Sequence, residues 1–202
     1  MLGAFRPEGR DHKNDRGTGG HGNHLHGVPP RRGFYFQGEG SGEQEDWRIG
    51  LMEGFGGLKM NITIRPAAFS DAGALAAMNK QLIEDEKHDN PMTVPQLKER
   101  MEGFLSGDYT AVFCIGENAD IIGYALINKT VNPMYLRQFF IRRDERRKGY
   151  GRQFFLKLLD YLNTDTIDIE VMFWNDPGKA FWESLRFKPR SVYMRYAGSM
   201  ET

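Results

Sequence analysis

The stretch Arg146-Arg147-Lys148-Gly149-Tyr150-Gly151 constrains this chain more than any other. It separates a run ending Phe139-Phe140-Ile141 from a second apolar run, Phe154 to Leu162, and so reads as strand, tight turn and helix. Gly149 and Gly151 lack the side chains that would obstruct a sharp backbone turn or the close approach of a ligand. Such a turn leaves the first N–H groups of the following helix unpaired at the positive end of its dipole, which suits a pyrophosphate. Neither of two common phosphate-loop spacings, G-x-x-x-x-G-K-[ST] and G-x-G-x-x-G, fits this turn. The plainer alternative is a strand-to-helix turn with glycines for sterics and arginines for solubility.

Around this turn the pattern of apolar residues gives a chain of elements. Ile62 to Arg65 alternates as a short strand does, and Pro66 ends it. Ser70 is placed to cap a first helix carrying Ala74, Leu75, Met78 and Leu82. The charged run Glu84 to Pro91 reads as a loop, and Thr93-x-x-Gln96 as the capping box of a second helix with Leu97, Met101, Phe104 and Leu105, stopped by Gly107. Tyr109 to Ile115 and Ile121 to Asn128 form a hairpin, followed by a strand from Tyr135 to Ile141. Beyond the glycine turn and its helix come a strand, Ile167 to Phe173, a helix begun by Asp176-Pro177, and a last strand, Ser191 to Tyr196.

The R-x-x-G-x-G spacing of Arg146 to Gly151, behind a strand ending Phe139-Phe140-Ile141, resembles the acyl-CoA signature of the GNAT superfamily of N-acetyltransferases. The order of elements over residues 62–197 is similar to that family's as well. The segments Gln81-Leu82-Ile83-x-Asp85-Glu86-x-His88-x-Asn90-Pro91-Met92 and Leu136-Arg137-Gln138-Phe139-Phe140 look closest to a bacterial subgroup of unassigned substrate. The resemblance implies an α/β fold, a mixed twisted sheet of about six or seven strands flanked by about four helices.

It also implies a site. The fourth and fifth strands would splay apart, and the pantetheine arm of acetyl-CoA would fill the gap against backbone groups of Phe139, Phe140 and Ile141. Main-chain amides of Arg146, Arg147, Lys148, Gly149, Tyr150 and Gly151 would take the pyrophosphate, with Arg142, Arg143, Lys148 or Arg152 near the 3′-phosphate. Asn175 matches an asparagine that bonds the pantetheine arm, although Asn-Asp-Pro also suits a simple turn. The family's frequent Tyr-Glu-x-Leu-Gly-Phe run stands here as Trp182-Glu183-Ser184-Leu185-Arg186-Phe187, so an indole replaces a phenolic acid and an arginine replaces a glycine.

Candidates for the base that accepts the amine's proton are Glu86 with His88, in the loop after the first helix, and Glu170 on the fifth strand; the alternative is that they are solvated charges. The implied reaction is acetyl transfer from acetyl-CoA to a primary amine of a small molecule or peptide in a ternary complex. Its competitor is an acyl-CoA-binding module with little or no transfer. A homodimer is an expectation from the family only.

Composition removes other classes. Lys+Arg and Asp+Glu are 27 each, so no net charge recommends nucleic acid or an anionic membrane as partner. No apolar run reaches the length of a membrane span and no secretory signal opens the chain, so a cytoplasmic protein is expected. The single Cys114 lies in an apolar run and reads as a core thiol.

Residues 1–59 hold 15 of the 24 glycines and four of the five histidines without any apolar period, and read as a disordered leader. Met52 and Met60 are internal candidate starts, so that leader is expected to reflect a mis-assigned start, with the acetyltransferase domain at 60–202. His21, His24 and His26 have no neighbouring cysteine or carboxylate and call for no designed metal site.

Overall fold

The computed structural model describes residues 61–194 and 196; the expectation for residues 1–59 lies outside them. Five strands form one mixed sheet in chain order: β1 (Thr63–Pro66), β2 (Tyr109–Ile115), β3 (Ile121–Asn128), β4 (Met134–Ile141) and β5 (Ile167–Ile169). The first four pair antiparallel, and β5 runs parallel to β4. Four α-helices flank the sheet: α1 (Ala72–Asp85), α2 (Val94–Ser106), α3 (Tyr150–Leu162) and α4 (Asp176–Ser184).

Alternation along the strands builds a core on each face. Val112, Ala125, Phe139 and Ile141 meet Phe154, Phe155 and Leu158 of α3 and Trp182 of α4 on one side. Phe113, Tyr124, Leu126 and Phe140 meet Leu75, Met78 and Leu82 of α1 and Met101 of α2 on the other. Cys114 is buried as expected, and burial pushes its thiol up to about 12.

Four details depart from the sequence reading. Strands number five among the described residues, because β5 stops at Ile169 and Ser191 to Met194 take no strand conformation. Val192, Tyr193 and Met194 there are exposed. Helix α1 starts one residue after a 3-10 turn, Phe69–Asp71, so Asp71 rather than Ser70 is its cap. The charged run after it is not all loop: α1 continues through Asp85 and ends where Lys87 turns left-handed at φ 50, with the His88 amide donating to the Ile83 carbonyl at 3.0 Å. Helix α4 is capped by Asn175, whose Oδ1 accepts from the Gly178 amide at 3.0 Å, and not by Asp176. The second helix follows expectation, the Thr93 amide donating to Gln96 Oε1 at 2.8 Å and Gly107 lying just past the end.

Strand β4 carries a bulge that the sequence reading did not foresee. Leu126 faces Gln138 and Ile127 faces Leu136, so Arg137 is an extra residue in β4. The bulge resets the alternation. Leu136 and Phe139 therefore share one face, while Gln138 and Phe140 point to the other. Arg137 lies over the rings of Phe104 and Tyr109, 4.9 and 5.6 Å from their centroids.

Candidate active site

The ladder between β4 and β5 holds only three pairs, ending at Leu136 with Ile169. The bulge at Arg137 follows immediately, and β4 runs on to Ile141 with β3 as its one ladder neighbour. A cleft bordered by unpaired strand N–H and C=O groups results, and such groups accept another extended chain. The Arg142 amide bonds the Ile122 carbonyl of β3, so Phe140, two residues earlier, also faces β3, and it is Phe139 and Ile141 that turn their main-chain groups to the gap; the side chains of all three are buried. Phe139 stacks on Phe154 at 5.0 Å between centroids and meets Trp182 edge-on at 5.3 Å. Trp182 is itself 2% exposed within this aromatic group, so it serves the core, and its indole N–H is no acid.

The glycine turn follows β4. Arg147 at φ 65 and Gly149 at φ 91 take left-handed conformations, and Gly149 caps α3. Alternating hands along a turn make successive N–H groups converge, which forms an anion cradle. The first helical bond back to the turn comes from Gln153 to the Gly149 carbonyl, at 3.3 Å, so the amides of Tyr150, Gly151 and Arg152 precede the ladder and point out of the helix end. Tyr150 rests against the core and Arg147 and Lys148 are exposed.

The basic side chains of this region are mostly engaged. Arg146 donates from Nε to the Ile141 carbonyl at 2.8 Å and from Nη2 to Asp85 Oδ2. Arg143 bonds Asp85 at 2.8 Å and Glu84 at 3.2 Å. Arg142 pairs with Asp144, Lys148 Nζ reaches Glu145 at 3.0 Å, and Arg152 reaches the Ser184 carbonyl at 3.3 Å.

Asp85 ties the turn to the end of α1, and Glu86 comes next. Glu86 is 4% exposed. It lies seven residues after Asn79 on one stripe of α1, with Ile83 between them. Asn175 Nδ2 is its neighbour, at a long 3.4 Å from Oε1, and the indole N–H of Trp174 donates to its backbone carbonyl at 2.9 Å. Burial pushes the Glu86 carboxyl from the ordinary 4.5 up to about 7; Asp85 adds to the rise and the Asn175 bond opposes it. A carboxyl poised near neutrality can release and accept a proton in water's pH range.

Asn175 is therefore brought to Glu86. His88 is two residues on, with its side chain mostly buried; its Nδ1 accepts from the Asn90 amide at 3.0 Å. Asp89 Oδ1 lies 3.1 Å from the same Nδ1. The Asn90 bond ties His88 into the loop that follows α1. Glu170 is half-buried and stands just past the end of β5, not within a strand.

Three further residues belong to this region. Tyr124 of β3 donates its hydroxyl to Gln138 Oε1 at 2.9 Å, and burial raises the phenol's pKa. Asn79, 1% exposed, has a buried Oδ1 without a hydrogen-bond partner among the described residues. Together with Glu86 they make a buried polar layer between α1 and the bulged strand. Gln138, a polar residue beside Arg137 in an otherwise apolar strand, was its only sequence signal.

A cavity of about 450 Å³ lies elsewhere, at the start of β5, bordered by Phe155, Ile167, Leu185 and Phe187. None of the candidate residues lines it. Among the described residues no group of three His, Cys, Asp or Glu is placed to hold a metal ion, and no helix is long and apolar enough to cross a membrane.

The sequence profile of the acetyltransferase (GNAT) family matches residues 77–187. No curated protein matches the chain. Solved structures do. A single-substitution mutant of a Bacillus halodurans protein is 22% identical with a TM-score of 0.56, covering 67% of this chain and 98% of its own. An aminoglycoside N-acetyltransferase in complex with CoA is 14% identical, with a TM-score of 0.55 over 71% of this chain and 98% of its own. A predicted acetyltransferase of Clostridium acetobutylicum with acetyl-CoA is 15% identical, with a TM-score of 0.53 over 68% and 96%. At these identities the likeness is one of fold.

Proposed function

The chain belongs to the acetyltransferase (GNAT) family, and on that premise we propose that it moves an acetyl group from acetyl-CoA to a primary amine, with Glu86 receiving the amine's proton. The observation that carries this reading is a nearly buried carboxyl, raised to about 7, beside a cleft in β4. The strand groups of Phe139 to Ile141 fit the pantetheine amides, and the left-handed turn with the first amides of α3 fits a pyrophosphate. Two solved relatives hold CoA or acetyl-CoA, which agrees with that assignment.

Acetyl transfer needs a neutral nitrogen close to the thioester carbonyl. Glu86, ionised, attracts an ammonium and takes its proton; the nitrogen then attacks the carbonyl carbon, the C–N bond forms and the C–S bond breaks. A strand N–H near Phe140 polarises the carbonyl oxygen. The nitrogen's second proton passes to the departing thiolate, directly or through water, which leaves the neutral amide and the thiol. Trp182 supplies no proton. That absence favours the second reading, a module that holds an acyl-CoA with little transfer, whereas the poised carboxyl favours turnover.

Thiol release from acetyl-CoA by the full chain, across polyamines, amino sugars, amino acids and short peptides, separates the two. Amino sugars belong on the panel because a relative in fold is an aminoglycoside N-acetyltransferase. Turnover with one acceptor class, lost in Glu86→Gln with CoA affinity retained, is expected. Tight acetyl-CoA binding with no turnover on any amine would leave the binding module standing; wild-type turnover in Glu86→Gln would remove Glu86 from the chemistry.

A further inference from the structure

Asp85 joins the phosphate turn to the acceptor-side carboxyl, and the transfer chemistry does not use it. It is the last residue of α1 and directly precedes Glu86. Its side chain is 9% exposed and serves two guanidinium groups. Arg146 bridges three elements: the Ile141 carbonyl at the end of β4, the turn that carries Arg146 itself, and Asp85 at the end of α1. Arg143 adds a second tie from the turn, to Asp85 and to Glu84. On the far side the Glu86 carbonyl holds the Trp174 indole and its carboxyl holds Asn175. An unbroken set of bonds thus runs from the end of β4 through Asp85 and one peptide link to Glu86 and the cap of α4.

An anion in the turn changes the balance at Asp85. An anion held by the turn's main-chain amides adds a second negative charge near Arg143 and Arg146 and draws their guanidinium groups away from Asp85. A nearly buried carboxylate that loses part of its pairing is strongly destabilised, so Asp85 follows its arginines and carries the end of α1 with it. We propose that Asp85 is a positioning residue through which occupancy of the phosphate turn sets the placement of Glu86 and Trp174. The inference rests on the reading of the turn as a phosphate site given above.

Adenosine 3′-phosphate 5′-diphosphate is the probe, because it is the nucleotide half of CoA and has no pantetheine arm to reach Asn175 or Trp174. Calorimetry on the full chain reads its binding, and indole emission reads the loop, with Trp174→Phe assigning the signal. Binding with a shift of Trp174 emission is expected. Asp85→Asn should still bind the nucleotide and lose the shift. A bound nucleotide that leaves Trp174 unmoved in the wild type, or an Asp85→Asn protein that shifts as the wild type does, overturns the proposal.

Should Asp85→Asn fail to fold, Arg143→Met removes a half-exposed partner and keeps the Arg146 bond; a reduced shift is expected, and an unchanged one counts against the proposal. A purely structural Asp85 would lower the melting temperature and the affinity together without uncoupling them. Glu86→Gln should keep the shift even if Glu86 proves irrelevant to turnover, which separates this inference from the base assignment. Failure of both the nucleotide and CoA to bind would instead remove the donor site, and this inference with it.

Discussion

The two halves of the cleft are made of different material. The donor half, from Phe139 to Gly151, offers main-chain groups: an unpaired strand edge and a left-handed turn capping α3. The acceptor half offers side chains: Glu86, Asn175, Trp174, Tyr124, Gln138 and Asn79, drawn from four separate stretches of the chain. A backbone site depends on conformation and tolerates exchange of the side chains around it. A side-chain site depends on each group being present and on the pKa its burial gives it.

Forcing the backbone of the donor half should have the largest effect. Gly149→Val places a β-branched residue at φ 91, a conformation that costs an L-residue roughly 1–2 kcal/mol and that valine resists more than most. The turn will relax and its amides will diverge. CoA affinity is expected to fall by more than about tenfold, equal to ~1.4 kcal/mol, in a calorimetric titration of a protein that still melts cooperatively. Unaltered affinity would contradict a main-chain cradle.

The acceptor half breaks differently. Glu86→Gln keeps shape and removes the proposed base, so kcat should drop by about 10²-fold or more while CoA affinity stays level. Stability should move the other way. Glu86 is raised from 4.5 to about 7 in the fold, so the folded chain holds more protons than the unfolded one across that window. Its contribution is fully present below pH 4.5 and is lost as pH rises through about 7. The whole span amounts to about 3 kcal/mol, and Glu86→Gln should flatten it, melting higher than the wild type at pH 8 and no higher at pH 4. In the wild type, kcat should rise with pH through a limb near 7, where the carboxyl ionises.

Asn175→Ala tests how closely the halves are coupled. It removes the bond from Gly178 that caps α4, worth about 1 kcal/mol, and the amide that opposes the rise of the Glu86 pKa. The activity limb should therefore move to higher pH. A lower melting temperature with an unmoved limb would show that Asn175 serves the helix alone.

The same division explains what could be read without coordinates. Strand, glycine turn and helix are a local pattern, and the structure has them where the pattern put them, with Gly149 in the one conformation that makes glycine necessary there. The strands beyond Ile169 were over-read because Ile167 to Phe173 has the right residue types, while pairing depends on a partner that the sequence does not display. Charge misled in the opposite direction at Glu84 to Pro91. A run of carboxylates and a lysine reads as solvated, but Asp85 is covered by two arginines 58 and 61 residues away, and Glu86 is turned inward with the helix. The bulge at Arg137, which puts Gln138 beside Tyr124, is a matter of register and has no local sign.

The smallest effect should come from an exposed cation of the donor half. Lys148 belongs to the phosphate turn, yet its side chain is half exposed and already paired with Glu145 at 3.0 Å. An exposed pair of this kind contributes about 0–1 kcal/mol, and a salt of physiological strength screens it over about 8 Å. Lys148→Ala therefore deletes a charge without touching the amides that face the phosphates. CoA affinity should fall by no more than about two- to threefold at low salt, and the difference should vanish as salt is raised. A loss as large as that of Gly149→Val, persisting at high salt, would mean that side chains rather than main chain hold the phosphates, and the contrast between the two halves would fail.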